Sequence, residues 1–120
     1  MLDRFETIAK ALSDRNRLRI LKLLEEGELC GCQIGAVLEQ NPPAVSKALA
    51  ALRQAGLLEQ RRQGRWIYYR LADPETNPLA EPMLRLVAGA LAGDPRVIAD
   101  KTALARVNAL SPQTLCDGVS

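Results

Sequence analysis

Histidine is absent from the 120 residues. That removes the most used general base and any histidine-ligated zinc or nickel site. A phosphate-binding glycine loop and a nucleophile elbow are missing as well, so no enzyme is expected. No apolar run approaches a membrane span, and Met1-Leu2-Asp3-Arg4-Phe5-Glu6 lacks the basic-then-apolar pattern of a secretory signal. The expectation is a cytoplasmic protein with no membrane partner. Cysteine is scarce, at three residues. In a reducing compartment so few thiols favour free cysteines, metal ligands or redox sensing over a disulfide framework. Cys30-Gly31-Cys32 also lacks the two-residue spacing and strand-helix context of a thiol-disulfide exchange motif. Asp94, Asp100 and Asp117 offer oxygen ligands, but these suit harder ions. Repeats and low-complexity tracts are absent.

What is present belongs to an ordinary folded domain: 48% apolar and 25% charged residues in a chain of single-domain length. The net charge of +2 is unevenly spread. Between Asn41 and Arg70 stand Lys47, Arg53, Arg61, Arg62, Arg65 and Arg70 against the single acid Glu59, a local +5, which leaves −3 for the remainder. Such segregation suits a surface that meets a polyanion, although a solvated basic face has the same composition.

Apolar periodicity predicts a first helix around Phe5, Ile8, Ala9 and Leu12. Ser13 and Asp14 supply cap chemistry for a second helix to about Glu26, with Leu18, Leu21 and Leu24 on one side and Gly27 as terminator. A short third helix from about Gly31 to Glu39 buries Ile34, Val37 and Leu38. Asn41 caps a fourth, with Pro42 in its first turn, the stripe Val45, Leu49 and Leu52, and Gly56 at its close. Leu57 to Arg62 and Arg65 to Leu71 read as strands of a hairpin turning at Gln63-Gly64. After the loop 73–78, Leu84, Val87, Ala88 and Leu91 define another helical stripe, better suited to a dimer interface than to a ligand. Gly93-Asp94-Pro95 interrupts it, and a last helix runs to about Ala109. Residues 111–120 read as a flexible C-terminal tail carrying Cys116.

The order helix, tight turn, helix, two-stranded hairpin is that of a winged helix-turn-helix, mainly α with a β-hairpin wing. Residues 1–110 form its DNA-binding and dimerisation domain. The fourth helix is expected in the major groove, with Ala44, Ser46, Lys47 and Ala51 outward. Ser46 suits a phosphate or base edge, Lys47 a phosphate or guanine, and Ala44 a thymine methyl. Arg61, Arg62 and Arg65 flank the turn and suit phosphates or the minor groove, which makes affinity strongly salt-dependent. Trp66, Tyr68 and Tyr69 fit wing packing better than a base-stacking platform.

The chain resembles the arsenical-resistance repressor family of metalloregulators from about Phe5 to Leu71. Leu12-Ser13-Asp14-Arg15-Asn16-Arg17-Leu18, Glu28-Leu29-Cys30-Gly31-Cys32, Val45-Ser46-Lys47-Ala48-Leu49 and Arg61-Arg62-Gln63-Gly64-Arg65-Trp66-Ile67-Tyr68-Tyr69-Arg70-Leu71 carry the resemblance. It implies a homodimer joined through the first and last helices that binds an imperfect inverted repeat of double-stranded operator DNA as a repressor. Lys47-Ala48 departs from the arginine-histidine of many relatives, which bears on operator sequence.

In arsenic-sensing relatives the cysteines resembling Cys30 and Cys32 ligate the metalloid, often with a third three residues later, a position held here by Gly35. Thiolate is the soft donor that arsenite prefers. The resemblance therefore implies arsenite as inducer, held by Cys30 and Cys32, with Cys116 or an external thiol as the third sulfur. Cadmium, lead or thiol oxidation are alternative triggers, and buried cysteines are often plain core residues. On a regular helix residues two apart diverge by about 200°, so convergence of Cys30 and Cys32 on one ion requires a non-helical start to the third helix.

Overall fold

The computed structural model describes residues 1–110. Helix α1 (Leu2–Ala11) is joined to α2 (Arg15–Leu23) by a turn whose side chains cap both neighbours. The Asp14 carboxylate accepts the Arg17 N–H at 3.0 Å, satisfying a free amide at the start of α2. Arg17 in turn donates through Nε to the Ala11 carbonyl and through Nη2 to that of Lys10, closing the end of α1. One short motif thus fixes both helix ends.

A single 3₁₀ turn, Leu24–Glu26, follows α2, so the expected α-helix to Glu26 tightens three residues early. Gly27 then turns the chain at φ +130, a conformation that disfavours any side chain. Next comes an unforeseen strand, β1 (Leu29–Cys30). Helix α3 (Gly31–Leu38) ends at Glu39 in the left-handed region, and α4 (Pro42–Gln54) begins at once behind Asn41, whose Oδ1 accepts the Ala44 N–H at 2.9 Å. Strands β2 (Leu58–Gln63) and β3 (Trp66–Leu71) form the hairpin.

The sheet order is β1-β3-β2, all antiparallel. Gln63 pairs with Trp66, so the turn residues are Gly64 and Arg65, one position later than expected. Gly64 takes φ +61, matching a hairpin turn with glycine first. Helices α5 (Ala80–Ala90) and α6 (Pro95–Val107) complete the chain, α6 capped by Asp94, which accepts the N–H groups of Arg96 and Val97.

Ile8, Ile20, Leu23, Ile34, Leu52 and Leu57 are wholly enclosed where α1 to α4 meet the sheet, each worth about 1.5 to 3 kcal/mol of burial. A second layer is ionic. Arg19 on α2 grips Asp100 on α6 at 2.8 and 2.9 Å, with Asp100 buried. Lys22, also buried, donates to Glu25 and to the Ala88 carbonyl, and Lys101 reaches Glu25 at 3.1 Å. These bonds fasten α5 and α6 to α2.

Apolar surface remains uncovered on the outer helices. Phe5, part of the apolar periodicity that predicts α1, is 50% exposed and Leu2 81%, alongside Leu86 on α5 and Ile98 on α6. Helical spacing identified the apolar residues of α1, but only Ile8 and Ala11 are fully buried within the chain.

Candidate nucleic-acid interface and thiol site

The two faces that matter are built from adjacent segments. Asn41 starts α4, spending its Oδ1 on the cap, and Pro42 occupies the first turn, where a missing N–H costs nothing. Val45, Leu49 and Leu52 are buried, as expected, leaving Ser46 and Lys47 exposed and Ala44 and Ala51 half-covered. Arg61, Arg62 and Arg65 are all exposed on the wing. Helix and wing therefore expose Ser46, Lys47 and the three arginines, with Ala44 and Ala51 partly covered.

The three wing arginines are not equivalent. Arg65 stacks on Trp66, 4.5 Å from the ring centroid, and Arg61 on Tyr68 at 4.9 Å. Arg61 is also paired with Glu28: its Nε donates to both carboxylate oxygens at 2.8 Å. The Arg61 guanidinium holds the Glu28 carboxyl below its usual range, and Glu28 in turn raises Arg61. Charge counting could not distinguish these residues, because the acid lies 33 positions away.

The thiol segment is attached to the same wing. Cys30 pairs with Tyr68 across β1 and β3, and Tyr68 pairs with Arg61 across β3 and β2. One row of the sheet therefore runs from a cysteine to an exposed arginine of the wing. Cys30 is extended (φ −83, ψ 161) and 2% exposed, while Cys32 is half-buried in the first turn of α3. This is the non-helical start that convergence of the two sulfurs on one ion requires. The Cys30 N–H donates to Gln33 Oε1, and Gln33 Nε2 donates to Asn108 beyond α6. Cys30 and Cys32 both line a cavity of about 300 Å³ that is shared with α4 and β3.

Cys116 and Asp117 lie outside the described residues. Among the described residues no group of three or more cysteine, aspartate or glutamate side chains is placed to hold a metal. Asp94 caps α6, and Asp100 is committed to Arg19.

Residues 14–60 match the family model described as bacterial regulatory protein, arsR family. An arsenic resistance transcriptional regulator of Pseudomonas putida is 42% identical over 80 residues, 66% of this chain and 69% of that protein. The chain belongs to the arsR family.

Two other relatives also match. A second arsenic resistance transcriptional regulator of P. putida is 44% identical over 84 residues, 69% of this chain, and the arsenical resistance operon repressor of Escherichia coli is 50% identical over 64 residues, 52% of this chain. The chain spans 65% and 55% of those proteins' own lengths. Among solved structures, the homodimeric winged helix-turn-helix DNA-binding domain of a possible ArsR-family regulator from Mycobacterium bovis superposes with a TM-score of 0.66 at 33% identity, covering 78% of this chain and 83% of that one. The arsR-family fold is thus a winged helix-turn-helix, with α3 and α4 as its helix pair and β2-β3 as its wing. No helix among the described residues is long and apolar enough to cross a membrane.

Proposed function

We propose that the chain is a cytoplasmic transcriptional repressor that grips an inverted-repeat operator as a homodimer and releases it when reduced Cys30 and Cys32 capture arsenite. Asn41, Ala44, Ser46 and Lys47 of the α4 segment and Arg61, Arg62 and Arg65 of the wing make up the proposed DNA face. The exposed apolar side chains of α1, α5 and α6 support the dimer, since an isologous interface would cover them. The relatives named for arsenic resistance support the inducer.

One observation carries the reading. Cys30 sits in the extended residue before α3, Cys32 follows in its first turn, and both face one cavity against the recognition helix. Two soft sulfurs in that position suit a trivalent thiophile, which needs a third donor from Cys116 or an external thiol. Pulling both sulfurs onto one ion would re-aim the start of α3, against which α4 packs.

Fluorescence anisotropy on operator duplex tests this. Arsenite is expected to release the reduced protein, and Cys30→Ser and Cys32→Ser to keep DNA affinity but lose release. Cys116→Ser tests the third sulfur. Release by cadmium or peroxide but not by arsenite would overturn the inducer while keeping the repressor. Normal arsenite release by both serine variants would overturn the site.

A further inference from the structure

The cavity beside the two cysteines is larger than a bound ion requires, and most of its wall is not sulfur. Val45 and Leu49 of α4 face Ile67 and Tyr69 of β3 across it, while Ser46 and Arg65, both exposed, lie toward solvent. At about 300 Å³, it is about twice the 150 Å³ of an apolar cavity that accepts benzene. The room suits one aromatic ring and a small head group. Two of its walls, Trp66 and Tyr69, are aromatic, which favours a flat ring packed against them.

The charge around the cavity is of one sign. Arg65 is the charged residue in its lining, which contains no aspartate or glutamate. Its guanidinium rests on the Trp66 ring, and its remaining N–H groups suit a carboxylate, with the Ser46 hydroxyl as a second donor.

We propose that the cavity between α4 and the wing is a binding site for a small aromatic carboxylate, the ring held between Leu49, Val45, Ile67 and Tyr69 and the carboxylate by Arg65 and Ser46. An acid seated there uses two side chains of the proposed DNA face, so it competes with phosphate for Arg65. The binding step rests on none of the thiol chemistry. The competition rests on the DNA-binding reading and is measured separately.

Trp66 is the single tryptophan of the chain and lines the cavity, so its fluorescence reports occupancy directly. Benzoate is titrated into the full chain, with benzyl alcohol as the neutral analogue. A saturable Trp66 response is expected, stronger for benzoate. Arg65→Gln is expected to weaken benzoate about tenfold, the worth of one charge-assisted hydrogen bond, and to leave benzyl alcohol unchanged. Ser46→Phe, at an exposed position that spares the core, is expected to block the mouth and abolish both responses. The Trp66 response is read with no metalloid present, which separates this site from the arsenite reading, and benzoate lowers duplex affinity in anisotropy. No saturable response, a response that survives Ser46→Phe, or equal binding of acid and alcohol in wild type and Arg65→Gln would each overturn the proposal. Benzoate that binds as described but leaves duplex affinity unchanged overturns the competition.

Discussion

Replacing Glu28 with glutamine changes one charge beneath the wing and leaves the backbone alone. In the native chain Arg61 is engaged twice, with Glu28 through bonds of 2.8 Å and with Gln63 at 2.7 Å. With Arg61 about half exposed, water screens the ion pair and it adds little to the stability of the domain. Its effect on DNA would be larger in proportion, because on the proposed reading any phosphate contact made by Arg61 competes with Glu28. Glu28→Gln is therefore expected to tighten duplex binding by up to about fivefold at low salt and to steepen the plot of log affinity against log salt by about 0.9, one further phosphate neutralised. Anisotropy titrations at four or more salt concentrations read both quantities, and urea unfolding confirms that stability barely moves. Unchanged affinity and slope would show that Arg61 does not meet phosphate. Weaker binding would show that Glu28 holds Arg61 where DNA needs it.

Three other outcomes follow from the packing. Asp100→Asn strands a guanidinium that is 14% exposed and is expected to cost about 3 kcal/mol in urea unfolding, whereas the double change Arg19→Met, Asp100→Leu should recover most of it. Asn41→Ala removes the α4 cap for about 1 kcal/mol, and Asn41→Ser restores the stability; equal loss in both would show that the cap is not what Asn41 contributes. The carboxyls of Glu28 and Glu59 are held low, the first by Arg61 and the second by the Asp73 N–H and then Arg70; burial pushes Glu25 up, but Lys22 and Lys101 outweigh it and it too ends low. The unfolded chain takes up those protons first as pH falls. Their stabilisation is whole above the ordinary carboxylate value and fades as pH drops through the lowered folded values, a trend that thermal melts across the acid range would record.

Elements with their own punctuation were legible in the sequence. Asp14, Asn41 and Asp94 each precede a helix and accept its free amides, a local chemistry that needs no knowledge of the fold. Strand β1 has two residues, too few to alternate, and its partner lies 40 positions on. The wing turn shifted by one because Gln63-Gly64 and Gly64-Arg65 both place the glycine at a central position, and only the pairing of Gln63 with Trp66 decides between them. The exposure of Phe5 was not legible for another reason: periodicity marks a stripe as apolar without saying whether the chain itself covers it. Both cysteine positions of the described chain were visible as a motif. What the motif could not show is that Cys30 also belongs to the sheet.

That membership changes the route by which an event at the thiols would reach DNA. Packing of α3 on α4 offers one path, and it depends on a helix tilting against a close-packed neighbour. The sheet offers a more direct one. Cys30, Tyr68 and Arg61 occupy one row, so displacing Cys30 disturbs the edge pairing of β3, and the adjacent Glu28 carries the ion pair that sets Arg61. A third link leaves through Gln33, which holds the Cys30 N–H and Asn108 at once, toward the helix whose exposed Ile98 the proposed dimer would cover. A change of backbone angle at this one extended residue is thus shared among the recognition helix, the wing and the last helix. The polar links can be removed one at a time: Gln33→Leu removes the hydrogen bonds that join the Cys30 N–H to Asn108, and Glu28→Gln the charged link to the wing. If inducer release survives both, the helix-to-helix contact is sufficient by itself.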